Sequence, residues 1–316
     1  MENQRILVTG GAGFIGSNLA NHLADANEVV VVDDESLGTA ENLDDGVAFR
    51  QQCVLDPDLP TDVDVVFHLA ARSSYAMHEE DPAAGARVNV EGFVNTVEQA
   101  RRDGCDTVVY ASTSSIYGSR TEPTPETRGV VASTGYEASK LGREQYAAYF
   151  HRHYDMSLAG MRFFSVYQGY EGAESHKGSY ANVIAQFAQD AADGRSPTLY
   201  GDGTQTRDFV HVDDVVRGLE RAAEEQLHGV YNLGTGEAHS FNHVVALINE
   251  HLSVDVEPEY VDNPIPADVY IHDTCADPAR FQTATGWAPE ISLEAGIERV
   301  CSSYGTVQTR LSAPPS

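Results

Sequence analysis

Tyr136 and Lys140 stand four residues apart in Tyr136-Glu137-Ala138-Ser139-Lys140. On a helix, that spacing puts both side chains on one face. The chain uses arginine eighteen times and lysine only twice, and one of the two lysines closes this segment. An ammonium beside a phenol favours the phenolate, so the pair is a candidate for a base made from a group that normally titrates near 10. This spacing alone is a weak pattern. Its weight depends on the elements around it.

The first of these is a short apolar run, Arg5-Ile6-Leu7-Val8, followed by Thr9-Gly10-Gly11-Ala12-Gly13-Phe14-Ile15-Gly16 and an amphipathic stretch to about residue 24. It reads as strand, glycine turn and helix. Glycines at 10, 13 and 16 permit a tight turn and close approach of a pyrophosphate, which would meet the free N–H groups around Phe14 and Ile15 at the helix start. The next apolar run, Val29 to Val32, ends in Asp33, which can accept from both adenosine ribose hydroxyls and would repel a 2′-phosphate. Asp34 beside it is a second candidate, or simply part of an acidic turn. These features point to NAD.

Further strands are expected at 47–51, 63–68 and 107–111, with a helix at 88–100. This alternation implies an α/β fold, a doubly wound parallel sheet of the Rossmann type. Asp56, past the third strand, is placed near an adenine amino group. Leu69, Ala70 and Ala71 follow the fourth strand, where small residues let a cofactor lie on the backbone. His68 is expected to be packed rather than catalytic.

The net charge is −28. Such a surface repels nucleic acid and anionic membranes, so neither is expected as a partner, and an anionic ligand would need local positive groups. The acid-rich, lysine-poor composition suits a protein working in molar salt, where screening is short-ranged. Cys53, Cys105, Cys275 and Cys301 lie far apart without metal-ligand spacing, so no metal is expected. With no long apolar run and no leader at Met1, a cytoplasmic protein is expected.

The glycine turn, the HLAA run at 68–71, Asn89-Val90-Glu91-Gly92, the ASTSSIYG run at 111–118 and the Tyr136–Lys140 segment together resemble the extended short-chain dehydrogenase/reductase family, in particular its nucleotide-sugar 4-epimerases. The likeness runs from about residue 5 to residue 300. It implies Thr113 as the hydroxyl that binds the sugar 4-oxygen and the Tyr136 phenol, and Asn89 as a further cofactor-site residue. It also implies a nucleotide-sugar substrate, with Ser165, Asn182, Tyr200 and Arg207 in its site: Arg207 on the diphosphate and Tyr200 against the base. A homodimer through helices at about 88–100 and 136–154 is implied as well. Domains are expected at 1–165 for NAD, exchanging elements with 165–235, and at 166–305 for a smaller α/β substrate-binding lobe, with a disordered tail at 306–316.

Three departures from the family pattern stand out. Ser165 replaces an Asn, Gln168 replaces a Gly, and a second diphosphate arginine is missing before Ala276-Asp277. Ser114 and Ser115 follow Thr113 where related dehydratases carry acids. The expected activity is therefore C4 epimerisation of UDP-glucose and UDP-galactose. UDP-glucuronate or UDP-N-acetylhexosamine epimerases, and a dehydratase or decarboxylase of the same fold, are the alternatives.

Overall fold

The computed structural model describes residues 1–170 and 172–311. The strands are β1 (Arg5–Thr9), β2 (Glu28–Asp33), β3 (Ala48–Gln51), β4 (Val65–His68), β5 (Thr107–Thr113), β6 (Ser157–Phe163), β7 (Ser165–Tyr167), β8 (Thr198–Tyr200), β9 (Thr206–Arg207), β10 (Phe209–His211), β11 (Gly229–Leu233), β12 (His239–Ser240) and β13 (Glu259–Val261). The helices are α1 (Phe14–Ala24), α2 (Tyr75–Glu80), α3 (Pro82–Ala86), α4 (Gly92–Asp103), α5 (Gly135–Tyr154), α6 (Val183–Ala192), α7 (Val212–Glu224), α8 (Phe241–Leu252), α9 (Ala279–Thr285) and α10 (Leu293–Leu311). Of the expected tail, 312–316 lies outside the described residues.

Seven parallel strands form one sheet in the order β11-β6-β5-β4-β1-β2-β3. Helices cover both faces, so β4 and β5 are buried along their whole length, and β1 apart from Arg5. One apolar core lies between the sheet, α1 and α7. A second lies between the sheet, α4 and α5 around Phe93, Tyr110 and Phe150. The strand order reverses between β1 and β4, and a crevice opens there at the carboxyl ends of the strands.

A third core, built around Phe187, Phe209, Phe241 and Ile248, packs α6, α8 and α10 together. The strands beside it are short and pair two by two: β7 with β10, β8 with β13, and β9 with β12. The segment at 229–233 belongs to the large sheet rather than to this lobe. Its strand, β11, pairs with β6 at the edge of the large sheet, with Tyr231 opposite Met161. The expected helix at 88–100 begins instead with a π turn at Arg87–Glu91 before α4. Among the described residues no helix is long and apolar enough to cross a membrane.

Candidate active site

A cleft of about 500 Å³ lies at the reversal of strand order. Its floor is the turn between β1 and α1. Gly10 has φ +68°, and a Cβ there would collide with the backbone of Ala70. A Cβ at Gly16 would run into the Gly10 carbonyl. Only glycine lets the turn, α1 and the loop after β4 approach this closely. Gly13 caps α1 without a side-chain hydrogen bond, and no acid lies in the first turn. The free N–H groups there suit an anion.

Gly10, Gly13, Phe14, Ile15 and Gly16 line the cleft, as do Asp33, Asp34, Leu69, Ala70 and Ala71. The Asp33 carboxylate accepts from the backbone N–H groups of Ala12 at 3.1 Å and Glu35 at 2.8 Å, and burial raises its pKa. Asp34 accepts from Ser36 N–H at 3.0 Å. These residues fit a dinucleotide: uncapped amides for its diphosphate and an acid at the end of β2 for its ribose.

Asp56 is a correction. It does not line the cleft. Its carboxylate turns back to accept from Cys53 N–H at 3.0 Å, closing a tight turn after β3, and Gln52 and Val54 line that end instead. Asn89, fully buried in the π turn, also lies behind the cleft wall rather than in it. Its side-chain oxygen accepts from Arg72 N–H at 2.8 Å, and its amide donates to the Arg72 carbonyl at 3.0 Å and to Ser139 Oγ at 2.8 Å. It fixes the loop that carries Ala70 and Ala71.

Thr113, Tyr136 and Lys140 meet in the cleft, brought there by the end of β5 and the first turns of α5. Thr134 caps α5 by accepting from Glu137 N–H at 3.2 Å, which fixes where the helix starts. The Thr113 hydroxyl is near enough to the Tyr136 phenol to lower its pKa, and Thr113 Oγ1 lies 2.8 Å from Ser115 Oγ. Lys140, 2% exposed, donates to the Ala111 carbonyl at 3.2 Å, with its Nζ 5.8 Å from the Tyr136 ring centre.

Burial dominates the electrostatics of this pair. Burial pushes the Tyr136 pKa up, and the Thr113 hydroxyl and the charge of Arg143 work against that rise. Burial, then Arg143, drives the Lys140 ammonium well below its usual range. Arg143 is thus a further cation that lowers the pKa of the phenol. Sequence reasoning missed it. Arg143 is fully buried and donates to the carbonyls of Asn89 at 2.6 Å, Ala70 at 2.7 Å and Ala111 at 3.3 Å. Positions 136, 140 and 143 follow one helical face, a signal that was available in the spacing.

Of the expected substrate residues, Ser165 and Arg207 line the cleft. Arg207 Nη1 donates to the carbonyls of Thr206 at 2.8 Å and His272 at 2.9 Å, and Nη2 to that of Ile271 at 2.7 Å, which does not exhaust its five N–H donors. Asn182 and Tyr200 do not reach the cleft. Asn182 caps α6 through Ile184 N–H at 3.1 Å and donates to the Val166 carbonyl at 3.0 Å. The Tyr200 ring is exposed to solvent on the short strand β8. His68 is packed, with Nδ1 3.0 Å from Thr9 Oγ1 and its ring against Phe93. The four cysteines are free, and no metal-ligating cluster occurs among the described residues.

Comparison with known proteins gives the same architecture. The family model described as "NAD dependent epimerase/dehydratase family" matches residues 6–234. The UDP-glucose 4-epimerase of Mycolicibacterium smegmatis is 35% identical over 314 residues, covering 95% of this chain and 98% of its own. The Thermotoga maritima UDP-glucose 4-epimerase, solved with UDP-glucose, superposes with a TM-score of 0.87 at 32% identity, covering 96% of this chain and 99% of that one. The UDP-glucuronic acid 4-epimerase of Bacillus cereus, solved with UDP-glucuronic acid and NAD, gives 0.84 at 26% identity, with 96% and 99% covered.

Proposed function

The chain belongs to the NAD dependent epimerase/dehydratase family, an NAD-using enzyme family, and from that premise we propose that it inverts C4 of a nucleotide sugar, with UDP-glucose and UDP-galactose as the leading pair. The observation that carries this reading is the meeting of Thr113, Tyr136 and Lys140 in one cleft, with Ser114 and Ser115 and no acid following Thr113.

NAD, when bound, supplies a hydride acceptor and donor. The protein's own groups manage the proton and the pose. Tyr136 takes the proton from the sugar 4-hydroxyl and returns it, with Thr113 holding the phenolic oxygen in line. The guanidinium of Arg143 offsets part of the burial that opposes a phenolate. A 4-keto sugar beside Ser114 and Ser115 meets no carboxylate there to remove a second proton. Rotation of the sugar and reversal of the first step then give the 4-epimer. Arg207 keeps free N–H donors for the substrate diphosphate.

The test is to incubate purified protein with UDP-galactose in high salt without added NAD. UDP-glucose should appear until the two sugars reach equilibrium. No conversion, stoichiometric NADH, or CO₂ released from UDP-glucuronate would each refute C4 epimerisation of UDP-galactose. One observation favours a second substrate: Arg72 and Arg207 both line the cleft, and a guanidinium suits the carboxylate of UDP-glucuronate. A comparison of kcat/KM for the two sugars separates these readings. Tyr146, Tyr149 and Tyr154 are exposed on α5, which supports a homodimer formed through α4 and α5; a monomer in sedimentation at molar salt would refute it.

A further inference from the structure

Both lysines of the chain line the same cleft. Lys140 belongs to the reaction centre. Lys177 has no part in the chemistry above. It sits in the turn Ser175–Tyr180, and its Nζ lies 5.1 Å from the ring centre of Phe14, in the first turn of α1. Its side chain is 20% exposed, and burial lowers its pKa. Among the described residues its ammonium makes no hydrogen bond, and its one ion pair, to Glu174, is 4.0 Å long.

Glu174 does not depend on that pair. It is fully buried and already accepts from the N–H groups of Gln168 at 2.8 Å, Gly169 at 2.9 Å and Asn182 at 2.8 Å. The ammonium, largely desolvated, thus keeps its donors for something else.

The segment that carries Lys177 is tied across the glycine turn. The amides of Asn18 and Gln168 bond each other reciprocally at 3.0 and 2.8 Å. His176 Nδ1 lies 3.1 Å from Asn42 Nδ2, which also donates to the Ala12 carbonyl at 3.0 Å. Residues from the chain after β7 thus hold down the side of the turn where α1 presents uncapped N–H groups. The ammonium and those amides face the same end of the cleft.

We propose that Gln168, His176 and Lys177 clamp the dinucleotide and that Lys177 pairs with its diphosphate. In a chain of net charge −28 this is a local cation where an anion must enter. The inference rests on the cofactor cleft and not on the sugar, so it can fail while the epimerase reading stands.

The test is Lys177→Met, with NAD content measured in acid extracts after desalting and affinities measured by calorimetry on protein freed of NAD. NAD and ADP-ribose should each bind about tenfold more weakly, with adenosine affinity unchanged. Lys177→Arg should stay within about twofold of the parent, since it keeps the charge. Gln168→Ala cuts the amide pair without touching a charge and should speed NAD loss about threefold; it carries the test if the Met variant fails to fold. Unchanged NAD retention in these variants, whatever their turnover, would overturn the clamp. So would an equal loss of adenosine affinity, which would make Lys177 a support of the fold.

Discussion

The two halves of the molecule differ in the sign of their most deeply buried charges. In the sheet half, the two most deeply buried basic groups beside the cleft rest on backbone carbonyls, Lys140 on Ala111, and Arg143 on Asn89, Ala70 and Ala111, while Glu144 pairs with Arg162 and Asp33 accepts from backbone amides. In the carboxyl half the fully buried charges are carboxylates that rest largely on backbone amides, although Arg207, partly exposed in the cleft, rests on carbonyls as Arg143 does. Asp208 accepts from the N–H groups of Thr235 at 2.8 Å, Gly236 at 2.9 Å and Ala276 at 3.0 Å. Asp214 accepts from Ile291 N–H at 3.1 Å and pairs with Arg217. The carboxylates pin loops together and are satisfied by the chain itself. Arg143 and Lys140 have only backbone dipoles and each other's like charge nearby, an arrangement that costs free energy unless negative charge arrives from elsewhere. A phenolate and a bound diphosphate would bring it. The contrast separates charge kept for structure from charge kept for a ligand.

The sharpest way to break that contrast is Tyr136→Phe. Turnover should fall by about 10³-fold while bound NAD is kept; near-parental turnover would remove Tyr136 from its role. Asp208→Asn tests the other half. It sets an amide against backbone N–H groups and should lower unfolding stability by about 2–4 kcal/mol, read by denaturant melts, with kcat unchanged in the folded fraction. A loss of kcat without a loss of stability would place Asp208 in the chemistry.

Arg143→Met should have an intermediate effect, with kcat reduced about tenfold or more. Arg143 pulls the Tyr136 pKa down, so its removal lets that pKa rise, and the limb on which rate increases with pH should move to higher pH. Arg143→Lys should restore most of the shift if charge is what matters. A profile that stays in place would make Arg143 purely structural. Arg207→Lys should have the smallest effect, raising KM for the nucleotide sugar a few fold with NAD content unchanged, because a point charge replaces a planar fork.

The sheet half was legible in the sequence because its signals are local. The glycine turn, the acid ending β2 and the Tyr136–Lys140 spacing each sit within a few residues of one another, and periodicity decides their geometry. Asp56 was misplaced because a tight turn after β3, not strand direction, aims its carboxylate. Arg143 was overlooked as one of many arginines, although it continues the helical face of Tyr136 and Lys140. The lobe was harder to read because its strands are only two or three residues long and find partners far along the chain, as Tyr260 does opposite Leu199. Nothing near Tyr200 in sequence shows that its ring faces solvent. Lys177 had one signal, the rarity of its residue type, and only the fold shows that it reaches Phe14.

The central claim is that the hydrogen removed from C4 returns to C4. UDP-galactose deuterated at C4, converted by the purified protein without added NAD and analysed by mass spectrometry and proton NMR, should give UDP-glucose that still carries deuterium at C4. Product with solvent hydrogen at that carbon would contradict the account.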